Sequence, residues 1–134
     1  AVARGILPPV LADRGLAGAL SGLAAHCAVP CRTDVELPER CAASVEATVY
    51  FVVAEALTNI AKHSGATRAT VTVRSRGGRL LLRVEDDGRG GADEAGGSGL
   101  AGIRRRIAAH DGVLRLTSPV GGPTILEVDV PCGS

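Results

Sequence analysis

Aromatic side chains are nearly missing from this chain of 134 residues: there is no Trp, one Tyr (Tyr50) and one Phe (Phe51). With aromatics at 1% and apolar residues at 46%, the core has to be built from Leu, Val, Ile and Ala. Two adjacent rings do not form a stacking platform for bases. Net charge is also almost absent, +1 from 15 basic and 14 acidic residues, so nothing draws the chain to nucleic acid or to an anionic membrane. No apolar run approaches the roughly 20 residues that span a bilayer. The start, Ala1-Val2-Ala3-Arg4-Gly5, has no signal-peptide core. It also lacks an initial Met, which reads as a segment of something longer. Cysteine is limited to Cys27, Cys31, Cys41 and Cys132, with neither CxxC spacing nor a finger-like histidine, which argues against zinc. A chain of this length buries a core without cross-links, so all four are expected as reduced thiols of a cytoplasmic protein.

What is present is periodic. Residues 1–8 read as a tail, and Pro8-Pro9 opens a helix to about Cys27, with Leu11, Leu16, Leu20 and Leu23 on a helical period. Alternation around residues 32–37 predicts a strand closed by Pro38. The longest periodic segment runs from Ala42 to Ser64, with Gly65 as its C-cap. Strands are expected over 68–75 and 79–85, joined at Gly77-Gly78. A glycine-rich loop (87–97), a basic helix (98–110) and two strands (113–118 and 124–130) follow. Helix, strand, helix, two strands, helix, two strands is an α+β order: a two-layer sandwich with a mostly antiparallel sheet and helices on one face. It lacks the strict alternation of a doubly wound fold.

Two stretches carry chemistry. Asp86-Asp87-Gly88-Arg89-Gly90 ends a strand, and Gly97-Ser98-Gly99-Leu100-Ala101-Gly102 opens a helix. Glycines let backbone amides approach a ligand closely, and a helix N-terminus favours anions, so the pair reads as a nucleotide site. One carboxylate of the acidic pair would accept from the amino group of adenine, with Gly88 and Gly90 clearing space for the ring. The Gly97-x-Gly99-x-x-Gly102 spacing also matches a dinucleotide fingerprint. That reading fails, because Gly121-Gly122 stand where its acidic residue belongs. On the long helix, Glu55, Asn59 and either Lys62 or His63 share one face. A carboxylate and an amide oxygen one turn apart suit Mg²⁺ or a water beside phosphates, and the cation neutralises them. One of Arg104-Arg105-Arg106 can reach a phosphate or brace the loop. Thr124 can donate a hydroxyl into the same pocket.

Together these pieces resemble the GHKL ATPase superfamily. Glu55-Ala56-Leu57-Thr58-Asn59-Ile60-Ala61-Lys62-His63-Ser64 looks like its N box, residues 86–90 its G1 box and 97–103 its G2 box. Within it the chain is most similar to the catalytic, ATP-binding domain of bacterial sensor histidine kinases, in the subgroup with NarL/LuxR-type regulators. Arg4-Gly5-Ile6-Leu7-Pro8-Pro9-Val10-Leu11 looks like that subgroup's segment leading from its dimerisation helices, with 9–134 as the ATPase domain. The resemblance implies a Bergerat ATP fold binding ATP with Mg²⁺. Asn59 would hold the metal, Glu55 act as a polarising or basic group, and Asp86 read adenine. Lys62 and His63 would line the phosphates, Gly97, Gly99, Leu100 and Gly102 would cradle them, and residues 88–99 would form a lid. It departs from the family pattern at Pro123, where Gly is usual before the Thr. None of His26, His63 and His110 has the setting of a phosphoacceptor. The acceptor is therefore expected on a dimerisation and histidine-phosphotransfer domain of the same protein, with a response regulator beyond it. The fragment itself is expected to be monomeric and cytoplasmic, attached to a sensor that can be membrane-bound. The alternatives are an anti-sigma-type serine kinase or a non-catalytic ATP-binding regulator.

Overall fold

Pro9 sits at the first position of helix α1 (Pro9–Ala25), where its missing N–H is no loss. The structure, a computed structural model, describes residues 9–91 and 100–133. Helix α1 buries Leu11, Leu16, Ala19 and Leu20, as the leucine period predicts, but it is not straight. Gly15 takes φ 70° and ψ −166°, a backbone state that glycine tolerates and that breaks the helix. Carbonyls beside a helix break need new partners. Arg40 supplies them, donating to the carbonyls of Leu11 (3.2 Å) and Ala12 (3.3 Å). The same guanidinium forks onto Glu46 at 2.9 and 2.7 Å, and Cys41 N–H donates to Glu46 at 3.1 Å. Glu46 is only 2% exposed, so this clasp both neutralises a buried carboxylate and ties α1 to the next helix.

Strand β1 (Cys31–Glu36) pairs in parallel with β2 (Ala69–Arg76). Parallel neighbours require a crossover. Helix α2 (Ala43–Asn59) makes it, ending in a widened π-helical turn, Ile60–Ser64, that Gly65 closes at φ 66°. A two-residue turn at Gly77-Gly78 leads into β3 (Arg79–Asp86). Positive φ at both residues is the geometry that matches strand twist in a tight hairpin. Helix α3 (Leu100–Ala109) then crosses the sheet to an antiparallel pair, β4 (Val113–Thr117) and β5 (Thr124–Pro131). The sheet order is β1-β2-β3-β5-β4, mixed but mostly antiparallel, as the α+β pattern requires.

Alternation sets the two faces. Val71, Val73, Leu80, Leu82, Val84, Leu126, Val128 and Val130 point inward onto Val45, Val49, Val52 and Val53 of α2 and Ile103 and Ile107 of α3. Each fully buried Val or Leu contributes about 1.5–3 kcal/mol, so this aliphatic layer holds the helices without aromatic help. Across the outer face the register sets Asp34, Thr72, Arg83, Glu127 and Arg115 side by side on five strands. Alternating charge suits water, and the helices pack on the other side only.

The cysteines correct the sequence expectation. Cys27 and Cys31 are free thiols, but Cys41 and Cys132 are joined in a disulfide. The pairing comes from the fold: Ala42 N–H donates to the Cys132 carbonyl (2.9 Å), bringing the end of β5 to the first turn of α2. The partners are 91 residues apart in sequence, so spacing alone could not reveal them. Because the bond closes so long a loop, Cys132→Ser is expected to lower the unfolding free energy by about 4–5 kcal/mol in urea titrations. Wild type in reductant should match the variant, and a midpoint insensitive to both would contradict a structural bond.

Candidate functional site

Asp86 is the last residue of β3, with Ala69 of β2 on one side and Thr124 of β5 on the other. Alternation carries it onto the inner face behind Leu80, Leu82 and Val84. The carboxylate is 3% exposed, and no cation pairs with it among the described residues. Oδ1 accepts the Gly88 N–H at 2.8 Å, while Oδ2 has no partner among the described residues. Burial pushes the Asp86 carboxyl above the ordinary 3.8; the Gly88 N–H opposes this, and the charges of Asp87 and Glu85 add to it. A buried carboxylate oxygen without a donor is expensive unless a ligand supplies one.

Two loops lock together beside it. Gly121 N–H donates to the Arg89 carbonyl (2.7 Å) and Gly91 N–H to the Ser118 carbonyl (3.0 Å). A Cβ on Gly90 would stand 1.8 Å from the Pro119 carbonyl oxygen, and one on Gly122 would stand 1.9 Å from that of Gly88. Gly90 therefore allows close loop-to-loop contact, a role the sequence reading did not include. Residues 88–91, expected in a lid, are fastened to the β4–β5 turn. Thr124 lies opposite Asp86, and its Oγ1 is 2.6 Å from Ser118 Oγ.

Asp87 faces the other way and has a separate task. Its carboxylate accepts the N–H groups of Thr67 (2.8 Å) and Arg68 (3.0 Å) and the Thr67 hydroxyl. These bonds hold its pKa down to about 2. They also fasten the chain leaving the π-helical turn to the end of β3, so two parts of the site are fixed relative to each other.

Glu55 and Asn59 are half-buried on one face of α2, as their spacing predicts. The Asn59 amide makes no hydrogen bond among the described residues, whereas Glu55 is engaged. Lys62 is exposed on the π-helical turn. The side chain of His63, and Gly97 and Gly99 with the expected lid at 92–99, lie outside the described residues. Leu100 is buried in the core, and Gly102 is half-buried in the first turn of α3. Arg104 braces the Leu114 carbonyl (3.0 Å), and Arg106 lies 4.9 Å from the centre of the Phe51 ring, one turn before Glu55. These contacts set α3 against α2. Sequence reasoning did not find the Arg40–Glu46 clasp or the roles of Ser118 and Asp87, because each partner is distant in the chain or belongs to a turn.

A family profile described as histidine kinase-, DNA gyrase B- and HSP90-like ATPase matches residues 44–134. The chain belongs to that ATPase family. It is 35% identical to the sensor histidine kinase NarS of Mycobacterium tuberculosis over 90% of this chain and 31% of NarS. To the sensor histidine kinase MctS of Rhizobium johnstonii it is 32% identical, over 88% of this chain and 28% of MctS. It thus spans less than a third of the length of these two relatives. In structure it is similar to the blue-light activated histidine kinase of Erythrobacter litoralis EL346, with a TM-score of 0.73 and 22% identity over 89% of this chain and 41% of the other. The chain is an ATP-binding domain of the type found in sensor histidine kinases. No described helix of this ATPase domain is long and apolar enough to cross a membrane.

The depressed pKa of Asp87 fixes a pH dependence. The folded state holds the anion more tightly than the unfolded state, so this stability is complete above about pH 4 and disappears as pH falls through about 2. Thermal melts of wild type against Asp87→Ala should show a constant gap near neutrality that closes between about pH 4 and 2. A gap independent of pH in that window would contradict the clamp.

Proposed function

We propose that this domain is the catalytic unit of a two-component sensor histidine kinase, donating the γ-phosphoryl of ATP to a histidine on a separate dimerisation domain. The observation that carries the reading is the buried Asp86 carboxylate with one oxygen unpaired among the described residues, directly opposite Thr124. An adenine amino group supplies the donor that Oδ2 lacks. The family match and the printed names of the relatives support ATP as the nucleotide and histidine as the acceptor. The segment leading into α1 and its resemblance support a regulator of the NarL/LuxR type.

The residues present fit Mg²⁺. Among the described residues nothing pairs with the Asn59 amide oxygen, and Mg²⁺ beside phosphates asks for few protein ligands. When bound, the metal neutralises charge on the phosphates. Asn59 would hold it, Lys62 and His63 would offset phosphate charge, and the first turn of α3 would direct N–H groups at the anion. Transfer forms a bond from the acceptor imidazole nitrogen to the γ-phosphorus and breaks the bond to the β–γ bridging oxygen. ADP leaves with that electron pair, and Glu55 would take the imidazole proton. Positioning supplies most of the catalysis in such a reaction.

Asp86→Asn tests the reading. The amide keeps an acceptor for Gly88 N–H but turns a donor toward the adenine amino group, so ADP affinity should fall roughly 10- to 100-fold by calorimetry. Because burial raises the Asp86 pKa, its charge weighs against folding at neutral pH, and the variant should melt no lower than wild type. Unchanged ADP affinity would end the nucleotide assignment. Incubation with ATP and a separately supplied histidine-bearing helical domain should give an acid-labile phosphorylated product; an acid-stable one would favour a serine kinase.

A further inference from the structure

The turn between β4 and β5 contains a hydroxyl pair, one member of which, Ser118, has no part in the reading above. Ser118 Oγ lies 2.6 Å from Thr124 Oγ1, and both residues are half-buried. Ser118 is held through its backbone, since its carbonyl accepts Gly91 N–H at 3.0 Å from the loop that follows Asp86. Its side chain therefore reaches Thr124 from a fixed position. Thr124 in turn stands directly across from Asp86 in the β3–β5 register.

Two hydroxyls sharing one short bond divide the roles: one donates and the other accepts. An ionised carboxylate beside them can only accept. A 6-amino purine presents an amino donor next to a ring-nitrogen acceptor, whereas a 6-oxo purine presents a carbonyl acceptor next to an N–H donor. Asp86 suits the amino group of the first and opposes the carbonyl of the second. The neighbouring ring nitrogen needs a donor, which Thr124 supplies when its own hydrogen points to the base, and a Ser118 hydrogen donated to its lone pair holds it there.

We infer that Ser118 is a positioning residue that fixes the Thr124 hydroxyl as a donor toward the purine, directly or through one water. In this way it sets the preference for 6-amino over 6-oxo purine nucleotides. The inference rests on Asp86 being the base-reading carboxylate. Ser118 does not touch the nucleotide and acts through Thr124.

Calorimetry with ADP and inosine diphosphate on the same domain tests it. Ser118→Ala should lose about fivefold in ADP affinity, the size of one neutral hydrogen bond, with inosine diphosphate affinity unchanged or higher. Ser118→Thr, which keeps the hydroxyl, should restore the ratio. Adding Ser118→Ala to Thr124→Val should weaken ADP binding no further, because the two act as a unit. Equal affinities in Ser118→Ala and wild type would overturn the inference. So would an equal loss for both nucleotides, or effects that multiply in the double variant. Were Ser118→Ala not to fold, Thr124→Val alone must shrink the ADP preference, and an unshrunk preference would overturn it equally. Retained ADP binding in Asp86→Asn would instead defeat the reading of Asp86, and the two failures are separable.

Discussion

A buried carboxylate at the end of a central strand, with no cation beside it among the described residues, is the interaction around which this domain is arranged. Two residues earlier, at Val84, β3 is ordinary aliphatic core, and at Asp86 the same inward alternation delivers a charge in place of Leu or Val. The fold tolerates that charge with one backbone N–H from Gly88 and, among the described residues, leaves the second oxygen open. Stability alone would favour an apolar residue there. An open acceptor in a low-dielectric position gains selectivity instead, since a ligand without a matching donor leaves it unpaired.

Everything around Asp86 limits its freedom. The Gly88–Gly91 loop is fastened to the β4–β5 turn by backbone bonds, at approaches too close for any Cβ on Gly90 or Gly122. Asp87, its neighbour in sequence, points to the opposite side and clamps Thr67 and Arg68. One strand end thus carries the proposed base reader and is the fixed point for the chain that leaves the Asn59 helix. Arg106 on Phe51 and Arg104 on Leu114 hold α3 in the same frame. The Arg40–Glu46 clasp extends the frame to α1, fixing the kink at Gly15 to the start of α2. A segment arriving at α1 is in this way mechanically joined to the helix that carries Glu55 and Asn59.

Local chemistry was legible in the sequence, and long-range contact was not. Leucine and valine periods located all three helices and five strands, because burial follows those periods directly. Glu55 and Asn59 could be placed on one face since the helix runs unbroken to Asn59. Asp86 was visible through its strand and the glycines after it. The roles of those glycines were less visible: the space beside Gly90 is occupied by Pro119, a residue of another hairpin. The Cys41–Cys132 bond and the Thr67–Asp87 clamp join segments far apart in the chain, and the Ser118–Thr124 pair depends on the conformation of the β4–β5 turn. The kink at Gly15 passed unnoticed for a related reason, as its support comes from Arg40 in a different segment.

The measurement that bears most directly on this account is the ionisation of Asp86, followed by NMR of its carboxyl carbon with and without saturating ADP. The account predicts a pKa above the ordinary 3.8 in the free domain, because desolvation disfavours the anion. It predicts that the value falls when nucleotide is bound, because an amino donor on Oδ2 stabilises the anion. A carboxyl that titrates at or below 3.8 in the free domain and does not respond to ADP would contradict it.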